Sequence, residues 1–288
     1  MTTRRWAHLA AAATLGVLVW RVGTGPVLDG LRAVDGRALA AASGLAALTT
    51  VCCAWRWRTV AGGLGVELPL RTAVAAYYRS LFLNVTLPGG VVGDVHRGIS
   101  HGRESRDVGL GLRAVAWERS AGQAVQILLT IAVLLVLPSP VRAVAPLIAV
   151  AVLGVAVGVA VGIRAWPAAI RDVRNGLLAH RAWAPVAVAS TLVVAGHAVT
   201  FVIAARTAGA TAQPDQLLPL ALLVLLGAAL PNIGGWGPRE GVTAWAFAAA
   251  GLGASLGVAT AVVYGVMVFV ASLPGAAVLL ITWVRRDA

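Results

Sequence analysis

The sequence predicts an all-α polytopic membrane protein: an inverted repeat of about six full transmembrane helices plus two re-entrant hairpins. Three observations predict it. First, 59% of the 288 residues are hydrophobic and only 12% are charged, about half the charged share of an ordinary soluble domain. Several apolar runs approach or exceed the roughly 18–20 residues that span a bilayer. Second, two apolar runs break on the same kind of kink, with Leu87-Pro88 and Leu230-Pro231 lying 143 residues apart, one in each half of the chain. Third, the arginines fall between apolar runs in a pattern that one topology keeps mostly on a single side of the membrane, with only Arg21, Arg32, Arg37, Arg142 and Arg206 on the other.

Apolar segments fall at roughly 6–22, 38–55, 72–87, 114–137, 143–163, 183–205, 217–230, 239–252 and 256–284. The first follows Arg4-Arg5 and resembles a signal sequence, but Gly23-Thr24-Gly25-Pro26 offers no small-x-small cleavage site, so a retained first helix is expected. Were 72–87 to cross fully from a cytoplasmic N-terminus, the loop with Arg97, Arg103, Arg106 and Arg113 would lie outside, against the positive-inside bias. A segment that enters, turns at Pro88 to Gly93 and returns brings 97–113 back beside Arg56, Arg58 and Arg71. Segment 114–137 then goes out and 143–163 comes in, so Arg164, Arg171, Arg174 and Arg181 are cytoplasmic too. Segment 183–205 goes out, the second kinked pair enters from outside, and the last helix leaves Arg285 and Arg286 in the cytoplasm. Each half, 1–142 and 143–288, thus reads helix, helix, re-entrant hairpin, helix, with opposite entry sides, and both termini are cytoplasmic in a cell-membrane protein.

Paired apolar segments interrupted by Gly and Pro at matching positions point to a transporter's binding site. The kink residues are Pro88, Gly89, Gly90 and Gly93 in the first half, and Pro231, Gly234, Gly235 and Gly237 in the second. Glycine lets the backbone turn and proline removes a helical hydrogen bond. Broken backbone at membrane depth must be buried in protein or line a water-filled cavity, and the resuming helix offers free N–H groups and a positive dipole end. Asp94 fits an N-cap after Gly93, and Pro238 fits a first helical turn. Two such N-termini from opposite sides would make a site for an anion such as a lipid phosphate.

Charged and polar residues accompany both kinks: Arg79, Asn84, Asp94 and Arg97 at the first, Asn232, Arg239 and Glu240 at the second, and Glu118-Arg119 in the next helix. A charge at the bilayer centre costs about 2.5–3.5 kcal/mol on insertion scales, so these groups are expected to pair, face water or bind substrate. Arginine suits phosphate because its planar fork donates two parallel hydrogen bonds. The plainer readings are that Arg97, Glu118 and Arg119 sit solvated in the interface, and that Asp94 is only a cap.

The net charge of +12 comes from arginine alone, since the chain has no lysine. Arginines set between apolar runs fix topology and meet anionic headgroups rather than nucleic acid. Cys52 and Cys53 are adjacent in an apolar run, which is neither a metal-ligand spacing nor a disulfide framework, and reads as small buried hydrophobes. His197 reads as a packed histidine rather than a proton relay. No His/Cys cluster suggests a metal, and neither enzyme chemistry nor a cofactor is expected.

At these motifs the chain resembles a known family. Asn84-x-x-Leu87-Pro88-Gly89-Gly90-x-x-Gly93-Asp94-x-x-Arg97, then Glu118-Arg119, then Pro231-x-x-Gly234-Gly235-x-Gly237-x-Arg239-Glu240 is similar to the lysylphosphatidylglycerol synthase transmembrane-domain (flippase-domain) family over nearly the whole length. The family's first kink often reads Gly-Gly-Asp where this chain has Val92-Gly93-Asp94. The resemblance implies a paired-hairpin fold and, from the family's best-understood member, movement of a lipid between leaflets. The family's synthases carry a soluble aminoacyl-transferase domain; the chain ends at Arg286-Asp287-Ala288, so a stand-alone member that does not aminoacylate lipid is expected.

The leading functional expectation is therefore a translocase for a phospholipid or lipid-linked headgroup, with Arg97, Arg119 and Arg239 on the phosphate and Asp94, Glu118 and Glu240 holding them. The alternative is a non-transporting membrane partner or anchor for a separately encoded glycosyltransferase or lipid synthase.

Overall fold

A computed structural model describes residues 25–87, 89–137, 143, 146–147, 150, 154, 167–230, 232 and 236–287. The described residues form helices: α1 (Gly25–Ala33), α2 (Gly36–Gly63), α3 (Leu70–Thr86), α4 (Val92–Glu104), α5 (Val108–Val136), α6 (Pro167–Asp172), α7 (Trp183–Thr207), α8 (Pro214–Gly227), α9 (Pro238–Ala249), α10 (Ala254–Ser272) and α11 (Pro274–Asp287). A π-helical turn, Val173–Leu177, continues α6. The expected first span at 6–22 lies outside the described residues, as do most of 143–163 and kink residues Pro88, Pro231, Gly234 and Gly235.

Among the described residues, α2, α5, α7 and the run Ala254–Val284 are long and apolar enough to cross a membrane. The last apolar segment divides at Leu273–Pro274 into α10 and α11, which together make one span. The helices beside the kinks are shorter. At 1.5 Å per residue, the 13 residues of α4, 14 of α8 and 12 of α9 reach only about 18–21 Å, well under the ~30 Å hydrocarbon core. The 17 residues of α3 reach about 26 Å. α3 packs against α4, and α8 against α9.

Local signals explain the boundaries. Asp35 caps α2 by accepting from Ala38 N at 2.7 Å, and Asp107 caps α5 by accepting from Leu110 N at 2.8 Å. At α9, Gly237 takes φ +123°, which favours glycine, and the Glu240 carboxylate reaches back to accept from Gly237 N at 2.6 Å.

Apolar surface has little reason to leave lipid, so helix contacts here depend on close backbone approach through small residues. On α4, Gly98 faces Leu112 and Gly111 of α5, while Gly102 faces Val108 and Gly111. Gly93 sits against the Ser80 backbone of α3, and Gly196 of α7 against Thr49 of α2. Among the described residues three buried clusters result, the smallest around Ala244, Val258 and Val262. One, with Trp57, Ala73, Tyr77 and Ala114, surrounds the first broken pair. Another, with Leu134, Phe201, Leu217, Leu220, Phe247 and Tyr264, surrounds the second. Outward-facing residues such as Leu128, Leu135, Val136, Val188 and Val199 are exposed and apolar, as a lipid-facing wall requires.

Candidate functional site

The two breaks in the helices meet. Gly89 N donates to the Asn232 carbonyl at 2.9 Å, and Gly90, at φ +68°, is so close to the Asn232 side chain that a Cβ there would overlap its amide. Half a chain apart in sequence, the two kinks form one joint in space.

Beside that joint, α2, α3, α4 and α5 converge on a buried ionic network. Asp94, in the first turn of α4, accepts from Ser80 Oγ (3.1 Å), Asn84 Nδ2 (3.0 Å), Arg97 Nη2 (3.0 Å) and Arg119 Nη2 (2.6 Å). Glu118, fully buried on α5, accepts from Arg56 Nε (2.8 Å) and Nη2 (2.5 Å), Tyr77 OH (3.1 Å) and Arg97 Nη2 (3.0 Å). Arg97 bridges the two carboxylates. Its guanidinium lies between two aromatic faces, 4.1 Å from the Tyr77 ring centre and 4.4 Å from that of Trp57, which compensates a desolvated cation. Arg56 also donates to Ser190 Oγ of α7 at 3.0 Å, and Gly122 leaves just enough room for its guanidinium.

Three arginines, Arg56, Arg97 and Arg119, face two carboxylates, Asp94 and Glu118. The network therefore carries one positive charge in excess. Arg97 and Glu118 are wholly enclosed, while the Arg119 side chain is 42% exposed. Two nitrogens of Arg97 and Nε of Arg119 are buried without a hydrogen-bond acceptor among the described residues. An anion arriving at Arg119 would meet a preformed cationic surface.

Arg239 and Glu240 form a second buried cluster at the start of α9. Arg239 Nε and Nη2 donate to Glu240 Oε1 at 2.9 and 2.5 Å. The Arg239 guanidinium lies 5.6 Å from the Trp236 ring and 5.3 Å from that of Tyr264, with Gly265 beneath it. The Tyr264 hydroxyl is 3.3 Å from His197 Nδ1. A small cavity of about 60 Å³ lies between α2, α3, α7 and α10, lined among others by Ala46, Thr49, Tyr77, Leu81, His197 and Met267. Its wall is mainly apolar, and Tyr77 joins it to the ionic network.

Several sequence expectations change. Asp94 does not cap α4: Val91 holds the N-cap position, and the Asn84 side chain takes up the free N–H of Gly93 at 2.7 Å. Asp94 is thereby left for the arginines. Arg97 and Glu118 are buried rather than solvated in the interface, and Arg119 is paired. Arg56, expected only as a flanking cytoplasmic charge, is buried and bonded to Glu118, whereas Arg58 is exposed. His197 is packed with its Nδ1 beside the Tyr264 hydroxyl. Arg79 is half-buried on α3, and Asn232 contributes its backbone carbonyl at the joint.

Sequence reasoning missed Arg56, Trp57, Tyr77, Ser80 and Ser190. Spacing held a signal for Arg56. Buried positions of α2 recur at 42, 49, 53, 56, 57 and 60, so Arg56 lies on the stripe that packs inward and Arg58 does not.

A search of the curated proteins finds no match. The family described as the lysylphosphatidylglycerol synthase TM region matches residues 6–275. That span contains both kinks, the Asp94–Glu118 network and the Arg239–Glu240 pair, and this chain is a member of that family.

Proposed function

We propose that this protein moves a lipid with an anionic, phosphate-bearing headgroup between the leaflets of the cell membrane, binding it between the two kinked helix pairs. The observation that carries the reading is the network of Asp94, Arg97, Glu118, Arg119 and Arg56, buried within the helix bundle with one positive charge in excess and one partly open arginine. Placing so many charges there costs several kcal/mol unless they are used.

In this reading α3–α4 and α8–α9 are re-entrant hairpins from opposite faces, within inverted repeats 1–142 and 143–288 that hold six full spans, with both termini cytoplasmic. Gly63 and Leu64 at the end of α2, Leu110 and Arg113 at the start of α5, and Asp172 at the end of α6 line one common pocket. Had α3 crossed fully, the ends of α2 and the start of α5 would lie on opposite sides. Rocking of one repeat against the other would open the Gly89–Asn232 joint to alternate leaflets. The described helices make and break no covalent bond in this scheme.

The test is reconstitution in liposomes with headgroup-labelled phosphatidylglycerol and dithionite quenching of outer-leaflet label. The wild type is expected to scramble or translocate the label, and Arg119→Gln and Arg239→Gln to slow it about tenfold or more, the size of one lost charge-assisted contact. A folded wild type that moves no anionic lipid, or variants that transport at the wild-type rate, would sink the assignment.

A further inference from the structure

A second polar pocket lies away from the kinks, where α2 ends and α5 and the π turn begin. It is a cavity of about 280 Å³, room for roughly nine waters at liquid density and close to the lower bound of small-ligand sites. Its wall combines Gly63, Leu64, Arg113, Arg171, Asp172 and Asn175.

The charges are unevenly committed. Buried Asp172 accepts from Arg113 Nε at 2.8 Å and from the Trp117 indole N–H at 3.1 Å through the same oxygen. Asp107, the other acid nearby, caps the first turn of α5. Arg113 thus keeps two terminal nitrogens with no hydrogen-bond acceptor among the described residues. Arg171 is exposed and lines the pocket with no ion pair or hydrogen bond of its own among them. Asn175 adds an amide from within the π turn, a helix form that recurs at functional sites. That turn closes on α2 because position 63 is glycine: a Cβ there would overlap the Asn175 carbonyl.

We propose that this pocket binds a phosphate monoester or diester, held by the terminal amino groups of Arg113, by Arg171 and by Asn175, as a site separate from the transport path. Asp172 fixes the Arg113 fork so that its free edge faces the cavity. On the topology proposed above the pocket lies at the cytoplasmic interface, where a headgroup of the inner leaflet and a soluble phosphorylated molecule are both within reach.

The test uses the full chain in detergent, followed by native mass spectrometry, with phosphatidylglycerol, phosphatidylcholine and glycerol 1-phosphate as separate probes. Arg171→Gln removes an exposed, unpartnered side chain and should keep the circular dichroism of the wild type. The expected result is about a tenfold loss of affinity for phosphatidylglycerol or glycerol phosphate, the size of one charge-assisted contact. Binding by the lipid alone assigns the occupant to the membrane, and binding by glycerol phosphate assigns it to the soluble phase. Exposed Arg37→Gln, at the opposite end of α2, should leave this affinity unchanged, so that a loss on Arg171→Gln is not a general effect of one charge fewer. Equal affinity of wild type and Arg171→Gln for both phosphate probes overturns the proposal, as does an equal loss for phosphatidylcholine.

Discussion

Removing the charge of Glu118 is expected to be the most disruptive single change in the ionic network. Its carboxylate accepts four hydrogen bonds from Arg56, Tyr77 and Arg97 and has no exposure. Glu118→Gln leaves three arginines facing Asp94 alone, raising the excess from one positive charge to two. Deleting one partner of a buried ion pair costs about 3–5 kcal/mol. Arg56→Gln is expected to cost less, about 2–3 kcal/mol, because the excess falls to zero and Glu118 keeps Arg97 and Tyr77. The double variant restores the single excess charge, so its loss should fall short of the sum by about 2 kcal/mol, within the range of directly contacting residues. Reversible unfolding in mixed micelles with dodecyl sulfate, followed by circular dichroism, measures all three, and exposed Arg58→Gln should stay within about 0.5 kcal/mol of the wild type. Additive losses, or Arg56→Gln more damaging than Glu118→Gln, would refute the charge arithmetic.

Glycines under the two guanidinium groups give a matched pair of tests. Gly122→Ala places a methyl against Arg56 and Gly265→Ala against Arg239; each should destabilise by about 1–3 kcal/mol in the same unfolding assay, while Gly44→Ala, with open space around it, should not. Gly93→Ala meets the Ser80 backbone rather than a movable side chain, so the loss should be at least as large, with α4 pushed off α3 and reduced yield of monodisperse protein on gel filtration. Cysteines at exposed Arg103 and Arg174 should resist a membrane-impermeant maleimide in intact cells and react after permeabilisation; reaction of either from outside excludes the proposed hairpin topology.

Pattern reading found the kinks because glycine and proline act on the backbone locally. It placed α3, α7, α8 and α9 within a few residues, since an apolar run and its Pro or Gly boundary are also local. It missed the extra residues at both ends of α2, because Trp55-Arg56-Trp57-Arg58 reads as an interface while the helix continues to Gly63. The network was half visible. Asp94, Arg97, Glu118 and Arg119 stand out as charges among apolar residues. Their partners Tyr77 and Ser80 are ordinary helix residues until the Gly93 contact sets α3 against α4. Of the two roles open to Asp94, cap or arginine partner, the cap is not taken, because a nearby amide, Asn84, captures the helix N–H first. Contact between the two kink tips could not be read from either string, because it joins a main-chain N–H to a main-chain carbonyl.

A main-chain hydrogen bond between Gly89 and Asn232 asks nothing of side-chain chemistry, only of room: position 90 must stay small against the Asn232 amide. Residues elsewhere around the joint can then be exchanged, in charge or in bulk, while the two kinks keep their contact. Under the function proposed above, one frame would then serve headgroups of different chemistry.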